Sequence, residues 1–229
     1  LAAYTRTGCL TLMLANVASR RNMANNRGLY ASCVALDLPH NAFAGKPAVL
    51  VAAGPSLAKN MHLLHELAGT GREERSQSQE NGNQKEGQSD RKSGRRAVII
   101  AVQTMLKPLL AAGIEPDFVT SLDYNTVSTR FFENLREVTG EAGAGERVHL
   151  VAEAKAHWNV LDVFASADGP GGGRAAGTGG GGMSVIHNDF AAQLLRDAAP
   201  PRSELKPGAT VAHLSFYLAE FLGCDPIIL

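Results

Sequence analysis

The chain has 229 residues, of which 45% are hydrophobic and 19% are charged, and its formal net charge is +0. This length and apolar fraction suit one α/β domain with a sizeable core. The lack of a basic surplus argues against a general nucleic-acid binder, because no excess of Lys and Arg is present to displace counterions. No apolar run comes near the ~20 residues that a membrane-spanning helix needs, and no secretory signal pattern is found.

The three cysteines, Cys9, Cys33 and Cys224, are far apart and fit neither a zinc-binding spacing nor a disulfide framework. They are typical of small buried residues in a reducing compartment, so we expect a cytoplasmic protein without a membrane span. The sequence lacks an initiating Met and stops inside a predicted strand at residues 227–229, which predicts a piece of a longer protein.

Residues 1–45 carry mixed helical patterns and predict an N-terminal helical lead-in, with a break near Asn22, Asn25, Asn26 and Gly28. Residues 46–229 form the main domain. Within it, residues 70–96 contain no hydrophobic side chain, and residues 168–182 are rich in glycine. Segments with so little to bury cannot offset their ordering entropy, so both are predicted to be disordered insertions.

The main domain alternates apolar runs with segments of helical spacing. Short apolar runs bounded by turn residues are typical of strands covered on both faces of a parallel sheet. Right-handed crossovers then place helices between them. The sequence predicts a Rossmann-like α/β domain of three layers with a mostly parallel sheet. The predicted strands are 48–53, 97–102, 117–122, 148–152 and the residues after Pro226. Six helices are predicted in the same domain: one from Pro55, one after Thr104, one over Phe131 to Leu135, one within 154–165, one near 190–195 and one after Gly208.

The first predicted strand stops abruptly at Gly54-Pro55-Ser56-Leu57. Pro55 suits the first turn of a helix, because its missing N–H would have no partner there. The free N–H groups of that turn and the helix dipole favour an anion such as phosphate. Ligands of open α/β sheets bind outside the carboxyl ends of the strands. Alternatively, the corner only turns the chain, and Ser56 caps the helix.

Polar residues also follow other predicted strands and open the last helix. Gln103 and Thr104 follow the second strand, Asp123 follows the third, and Thr210 precedes the last helix. The carboxyl ends of parallel strands meet at one edge, so we expect these residues to line one cleft. Asp123 suits a ribose hydroxyl or a divalent metal near phosphates, or else it starts a loop and caps the next helix.

No nucleophile–base pair follows from residue spacing. His213 is the best placed of the possible acid/base histidines, because it lies in the first turn of the last predicted helix. His157 and His187 are weaker candidates, and His149 lies inside a strand, where packing is the more usual role.

Three blocks of sequence occur in a characteristic order. The first spans 46–69 and contains Gly54-Pro55-Ser56-Leu57. The second spans 97–135 and contains Gly113-Ile114-Glu115-Pro116-Asp117, followed by Ser121-Leu122-Asp123. The third spans 205–229 and contains Gly208-Ala209-Thr210-Val211-Ala212-His213 and Gly223-Cys224-Asp225-Pro226. In this order they resemble the 6-hydroxymethylpterin diphosphokinase MptE-like domain, which archaeal pterin diphosphokinases share with the motility accessory factor (Maf) proteins that glycosylate flagellin.

The Maf branch is similar to bacterial sialyltransferases, which share the Gly-Pro-Ser-Leu corner and bind a CMP-activated nonulosonic acid. The resemblance implies that Gly54, Pro55, Ser56 and Leu57 contact the nucleotide. It also implies that Asp123 lies at the edge of the nucleotide and that Thr210 and Val211 lie near its phosphate. The implied function is a glycosyltransferase that moves a nonulosonic acid from a CMP donor to Ser or Thr of a protein such as flagellin.

Two alternatives remain open. A pterin diphosphokinase would transfer pyrophosphate from ATP with magnesium, and Asp123 would then be a metal ligand. A non-catalytic Rossmann-like binding module would keep only the fold. The family pattern continues past the last strand with a Gly-x-Asp segment that this sequence does not reach, so no catalytic base is assigned. The hydrophilic insertion at 70–96 also departs from the compact family pattern.

Overall fold

The computed structural model describes residues 16–32, 40–68, 96–135, 138, 148–165, 182–186, 189–195, 205 and 208–229. Its centre is a six-stranded sheet in the order β5-β4-β3-β2-β1-β6, and every neighbouring pair of strands is parallel. The strands are β1 (Ala48–Val51), β2 (Val98–Val102), β3 (Phe118–Ser121), β4 (His149–Glu153), β5 (Met183–Ile186) and β6 (Ile227–Ile228).

Helices connect the strands, as a parallel sheet requires. Two short 3₁₀ helices, Gln103–Met105 and Thr126–Phe131, follow β2 and β3. The α-helices are α1 (Val17–Asn25), α2 (Arg27–Ser32), α3 (Pro55–Ala68), α4 (Leu106–Ala111), α5 (Trp158–Ala165), α6 (Asp189–Leu194) and α7 (Val211–Phe221).

Side chains alternate between the two faces of each strand, and each face has its own layer of helices. On one face, Leu50 of β1 shares a core with Leu214 and Leu218 of α7. On the other, Ile99 of β2 packs with Leu64 of α3. That second face continues over β3 to β5, where the core includes residues of α1, α2, α5 and α6. The structure is therefore the predicted three-layer, Rossmann-like α/β domain.

Because all six strands are parallel, their carboxyl ends lie at one edge of the sheet. The chain steps from β1 to β5 in one direction, and α7 then returns it to β6 beside β1. We call the carboxyl edge the set of segments 52–54, 103–104, 122–125 and 154–157 together with the first turns of α3 and α7. This is the edge at which ligands of open α/β sheets bind.

All five predicted strands are present, and β5 is a further strand that the sequence did not predict. No strand is predicted at Met183–Ile186, yet all four residues are buried and pair with β4. The run is short, contains Ser184 and follows a glycine-rich segment, so it lacks a local strand signal. The 3₁₀ helix at Thr126–Phe131 lies earlier than the helix predicted from Phe131 to Leu135. The side chain of Phe132 instead packs in the core, where its ring contacts that of Phe164.

The N-terminal helices are part of this core and not a separate layer. Met23 of α1 and Tyr30 of α2 are fully buried in the core that covers β3 to β5. The predicted break is confirmed, since Asn26 caps the end of α1 and α2 begins at Arg27.

The two predicted insertions, at 70–96 and 168–182, lie outside the described residues except at Arg96 and Gly182. Cys9 and Cys33 also lie outside them. Cys224 is a buried free thiol, and burial together with Asp117 raises its pKa to about 11. Within the described ranges, no helix has the length and apolar character needed to cross a membrane.

Candidate functional site

The first corner of the carboxyl edge joins β1 to α3. Val51 is buried, whereas Gly54, Pro55 and Ser56 are exposed and Leu57 is half-buried. The helix begins at Pro55, as the sequence predicts. Leu57 N donates to Gly54 O at 3.2 Å. Within the described residues, the N–H group of Ser56 has no acceptor. The first turn of α3 therefore offers a backbone donor to a ligand.

Gly54 is not required by the fold. A Cβ at this position would meet only Ser56 Oγ, at 3.7 Å, and the backbone does not need a left-handed conformation. The space next to the Gly54 backbone is open. A close approach of a ligand to this backbone is therefore possible from the edge.

The second corner precedes α7. Thr210 is the N-cap of the helix, and its hydroxyl oxygen accepts a hydrogen bond from His213 N at 3.3 Å. The Nδ1 atom of His213 also lies 3.1 Å from that hydroxyl. Within the described residues, the N–H groups of Val211 and Ala212 have no acceptor. The exposed first turn of α7 thus offers the backbone N–H groups of Val211 and Ala212 to a ligand.

The two corners lie over neighbouring strands. Leu57 of α3 and Val211 of α7 are half-buried and pack against the same group of buried side chains, which includes Val51 and Val102 at the ends of β1 and β2. The hydroxyl groups of Thr120 in β3 and Ser215 in α7 lie 2.7 Å apart and fix the first turns of α7 over the sheet. Two helix N-termini, each with a partial positive charge, therefore face one edge and favour a negatively charged ligand.

Gln103 and Thr104 occupy the 3₁₀ helix after β2. Gln103 is buried, and its Oε1 accepts a hydrogen bond of 2.6 Å from Ser121 Oγ at the end of β3. This bond holds the ends of β2 and β3 together below the edge. Thr104 is half-buried, so it presents part of its side chain to solvent at the same edge.

Asp123 follows β3 and is half-buried. Its Oδ1 accepts hydrogen bonds from Asn125 N at 2.9 Å and from Asn125 Nδ2 at 3.1 Å. Asp123 thus closes a local turn with Asn125 but does not cap the 3₁₀ helix that follows, which has no side-chain capping bond. Its Oδ2 makes no hydrogen bond with the described residues. In the part of the chain that the structure describes, no group of three or more His, Cys, Asp or Glu side chains comes together to hold a metal ion.

The loop after β4 carries charged groups that the sequence pattern did not single out. Glu153 and Lys155 are buried, and Lys155 Nζ lies 2.6 Å from Glu153 Oε2. Burial raises the pKa of Glu153, and Lys155 opposes that rise. The sequence does contain a signal for these groups, because Glu153 ends a buried strand and Lys155 follows it, as Asp123 follows β3.

His157 ends the same buried loop, and its backbone N donates to Asp123 O at 3.1 Å. Its Nδ1 accepts a hydrogen bond from Asn159 N at 3.3 Å. Burial first, and the charge of Arg21 second, lower the pKa of His157. The ring is therefore neutral at pH 7 and carries its hydrogen on Nε2.

The other histidines have different settings. His213 is exposed in the first turn of α7, as predicted. His149 Nε2 lies 2.8 Å from Ser184 Oγ of β5, and its ring contacts that of Phe118 at 5.8 Å, so it joins strands as the packing interpretation expects. His187 lies outside the described residues.

The fold and its edge define an all-parallel, Rossmann-like α/β domain with two open helix N-termini. The chain belongs to the 6-hydroxymethylpterin diphosphokinase MptE-like family, whose model matches residues 91–229. This confirms the resemblance seen in the sequence. Gly54 to Leu57 precede the matched segment, whereas Gln103, Asp123 and Thr210 fall inside it.

Among solved structures, the chain is similar to that of the MAf glycosyltransferase from Magnetospirillum magneticum AMB-1. The TM-score is 0.55 at 18% sequence identity, and the match covers 91% of this chain and 26% of that chain. The chain thus spans about a quarter of the length of that protein. No curated protein sequence matches the chain. The similarity to the glycosyltransferase is one of fold.

Proposed function

We propose that the chain is the donor-binding domain of a glycosyltransferase of the Maf type. Its reaction moves a nonulosonic acid from CMP to a Ser or Thr hydroxyl of an acceptor protein such as flagellin. The observation that carries this proposal is the pair of open helix N-termini at one carboxyl edge, with unpaired N–H groups on Ser56, Val211 and Ala212 among the described residues. These groups suit the single phosphate of a CMP donor.

The chemistry requires stabilisation of a leaving group. In the transfer, the bond between the sugar carbon and the phosphate oxygen breaks, and CMP departs with the electron pair. The acceptor oxygen forms the new bond to that carbon and loses its proton. The negative charge on the phosphate increases along this path, so fixed N–H donors and the two helix dipoles bind the transition state more tightly than the ground state.

The remaining edge residues suit the nucleoside. Asp123 keeps Oδ2 without a hydrogen bond among the described residues, which leaves it for a ribose hydroxyl. Gly54 has no Cβ, so the ligand approaches the backbone closely there. His213 and Thr104 lie at the exposed rim, where they contact the donor in this proposal.

A second candidate is a pterin diphosphokinase that uses ATP and magnesium, and the description of the matching family favours it. In that reaction Asp123 is the magnesium ligand to be tested. Magnesium in kinase sites is held by one or two carboxylates together with the substrate phosphates, so a cage made only of protein ligands is not required.

Calorimetric titration of the chain with CMP, AMP and ATP, each with and without magnesium, tests the proposal. We expect CMP to bind best and its affinity to be independent of magnesium. Thermal unfolding with CMP at a hundredfold excess over Kd then shows about 2.7 kcal/mol of stabilisation. A magnesium-dependent preference for ATP or AMP would favour the diphosphokinase. Absence of binding by all three nucleotides would leave the non-catalytic module.

A further inference from the structure

Helix α1 carries a buried polar face. Ser19, Asn22 and Asn26 are at most 1% exposed, although they lie on or directly after a helix that packs into the apolar core. Asn22 and Asn26 are four residues apart, so they lie on the same side of the helix. Buried amides are stable only where their hydrogen bonds are made. Their partners therefore show what this face of α1 does.

The partners are backbone carbonyls of two loops at the carboxyl edge. Asn22 Nδ2 donates to Tyr124 O at 2.9 Å and to Lys155 O at 3.3 Å. Asn26 Nδ2 donates to Ala154 O at 2.9 Å and to Ala156 O at 2.8 Å. Each amide thus uses both of its hydrogens. Because all four partners can only accept, the orientation of both amide groups is fixed.

These bonds decide the path of the loop after β4. The strand ends at Glu153, and the next three carbonyls have no ladder partner, although their residues are buried. Buried carbonyls without donors are costly, so the loop depends on α1 for its conformation. The same loop holds the Glu153–Lys155 pair and ends at His157, whose N–H donates to Asp123 O. Asn22 also reaches the loop after β3 through Tyr124.

The polar face of α1 also carries a cost that packing alone would not require. Within the described residues, Ser19 Oγ, Asn22 Oδ1 and Asn26 Oδ1 are buried without a hydrogen-bond partner. Apolar side chains of similar volume would avoid these three unpaired atoms. The amides are therefore explained by the four carbonyls that they hold and not by burial.

We propose that Asn22 and Asn26 are positioning residues of the nucleotide site, and that α1 contributes to this site through them. They hold the loops 123–125 and 154–157 in the conformation that binds the nucleotide. Helix α1 lies outside the segment that matches the family model, residues 91–229, yet it sets the geometry of two loops inside that segment. The proposal rests on the proposed function for the nucleotide site and its ligand, CMP, whereas the hydrogen bonds that hold the two loops are observed independently of it.

Trp158 gives a signal that needs no ligand. It is the single Trp of the chain, and it directly follows the loop 154–157. Trp158 is 37% exposed, and its ring stacks on that of His157, with centroids 5.8 Å apart and planes 26° apart. Tryptophan emission depends on such a neighbour and on exposure to water. A displaced loop therefore changes the emission of Trp158.

The test compares Asn26→Leu with Leu222→Ala. Asn26→Leu keeps the volume and removes two donors, whereas Leu222 is fully buried at the far end of α7, away from the carboxyl edge. Both variants lower Tm, and Leu222→Ala is the control for lost stability alone. Circular dichroism defines a temperature at which each variant is folded, and emission and CMP affinity are then measured there.

We expect Asn26→Leu to change the emission of Trp158 and to weaken CMP binding at least tenfold, and Leu222→Ala to do neither. Asn22→Ala, which loses one short and one long bond, should give a smaller change in the same direction, and it serves if Asn26→Leu does not fold. Unchanged emission in the asparagine variants would overturn the positioning role, whether or not CMP binds. Failure of the unsubstituted chain to bind CMP, with altered emission in the variants, would overturn only the proposed ligand.

Discussion

Lys155 and Glu153 form a buried ion pair at the end of β4, with Nζ and Oε2 2.6 Å apart and side chains only 5% and 2% exposed. Attraction between charges is strong where water is excluded, but so is the penalty for leaving one charge alone. Three hydrogen bonds from Asn22 and Asn26 also fix the loop that carries Lys155, through the carbonyl groups of Ala154, Lys155 and Ala156. The ion pair therefore depends on a segment more than a hundred residues away in the chain.

Lys155→Met keeps the length of the side chain and removes its charge. Because Glu153 then lacks its counterion, we expect the free energy of unfolding at pH 7 to fall by about 3–5 kcal/mol. Urea denaturation followed by circular dichroism measures this loss. The double variant Glu153→Gln, Lys155→Met removes both charges and should recover most of it. Equal losses in the single and double variants would mean that packing, and not charge, explains the effect.

The same variant should show a distinct dependence on pH. Burial raises the pKa of Glu153 above its ordinary value of 4.5, and Lys155 limits the rise. Without Lys155 the pKa rises further, so the folded chain keeps a proton that the unfolded chain releases above about pH 4.5. The unfolding free energy of Lys155→Met should therefore fall as pH rises from 4.5 towards 8. The double variant should lack this slope, and its presence there would contradict the assignment to Glu153.

His157 should give the opposite slope. Burial and the charge of Arg21 lower its pKa below 6.5, so the folded chain resists protonation while the unfolded chain accepts it. Stability contributed by neutral His157 is complete above pH 6.5 and is lost as pH falls through this value, by at most 1.36 kcal/mol per pH unit. Denaturation from pH 7.5 to 5 should therefore show a smaller acid loss in His157→Gln than in the unsubstituted chain. Arg21→Gln should reduce the acid loss partly, and identical slopes in all three would contradict this account.

The features that could be predicted from the sequence are those that a local sequence pattern determines. Strands β1 and β2 are continuous apolar runs, and β3 and β4 contain the shorter runs Phe118-Val119 and Leu150-Val151-Ala152. Pro55 and Thr210 mark the starts of two helices. Burial on both faces and the geometry of helix N-termini determine these features within about ten residues. The strand β5 is as long as β1 and β3, but it contains Ser184 and follows a glycine-rich segment, so it lacks such a signal. It pairs in parallel with β4 over Met183–Ile186.

The parts that the sequence did not predict are contacts over long distances in the chain. Asn22 and Asn26 mark a helix break in the sequence, and this is correct, but their amides bond carbonyls 102 to 133 positions away. The hydrophobic periodicity of the sequence carries no information about a hydrogen bond between such distant residues. The Glu153–Lys155 pair is local, yet its burial is set by the elements around it. Consequently, the edge could be located from the sequence, whereas the support of its loops could not.

Two glycines should respond differently to the same substitution. Gly208 has φ of +64°, and a Cβ there would lie 2.8 Å from Leu214 N, so Gly208→Ala should destabilise the fold by about 1–3 kcal/mol. Gly54→Ala places its methyl in ordinary contact, 3.7 Å from Ser56 Oγ, and should leave Tm nearly unchanged. Because the proposed nucleotide approaches the Gly54 backbone, its affinity for Gly54→Ala should fall about tenfold, or 1.4 kcal/mol. Calorimetry with CMP measures this, and unchanged affinity would argue against a nucleotide at this corner.

Thr210 provides a test of the second helix N-terminus. Its hydroxyl caps α7 by accepting from His213 N, so Thr210→Ala should lower the free energy of unfolding by about 1 kcal/mol. Thr210→Ser keeps the acceptor and should retain most of this stability, because the Thr210 side chain is exposed and its methyl group has little packing to lose. Chemical denaturation of the three proteins separates these outcomes. An equal loss in the Ser and Ala variants would contradict the capping role, since only the Ala variant lacks the hydroxyl.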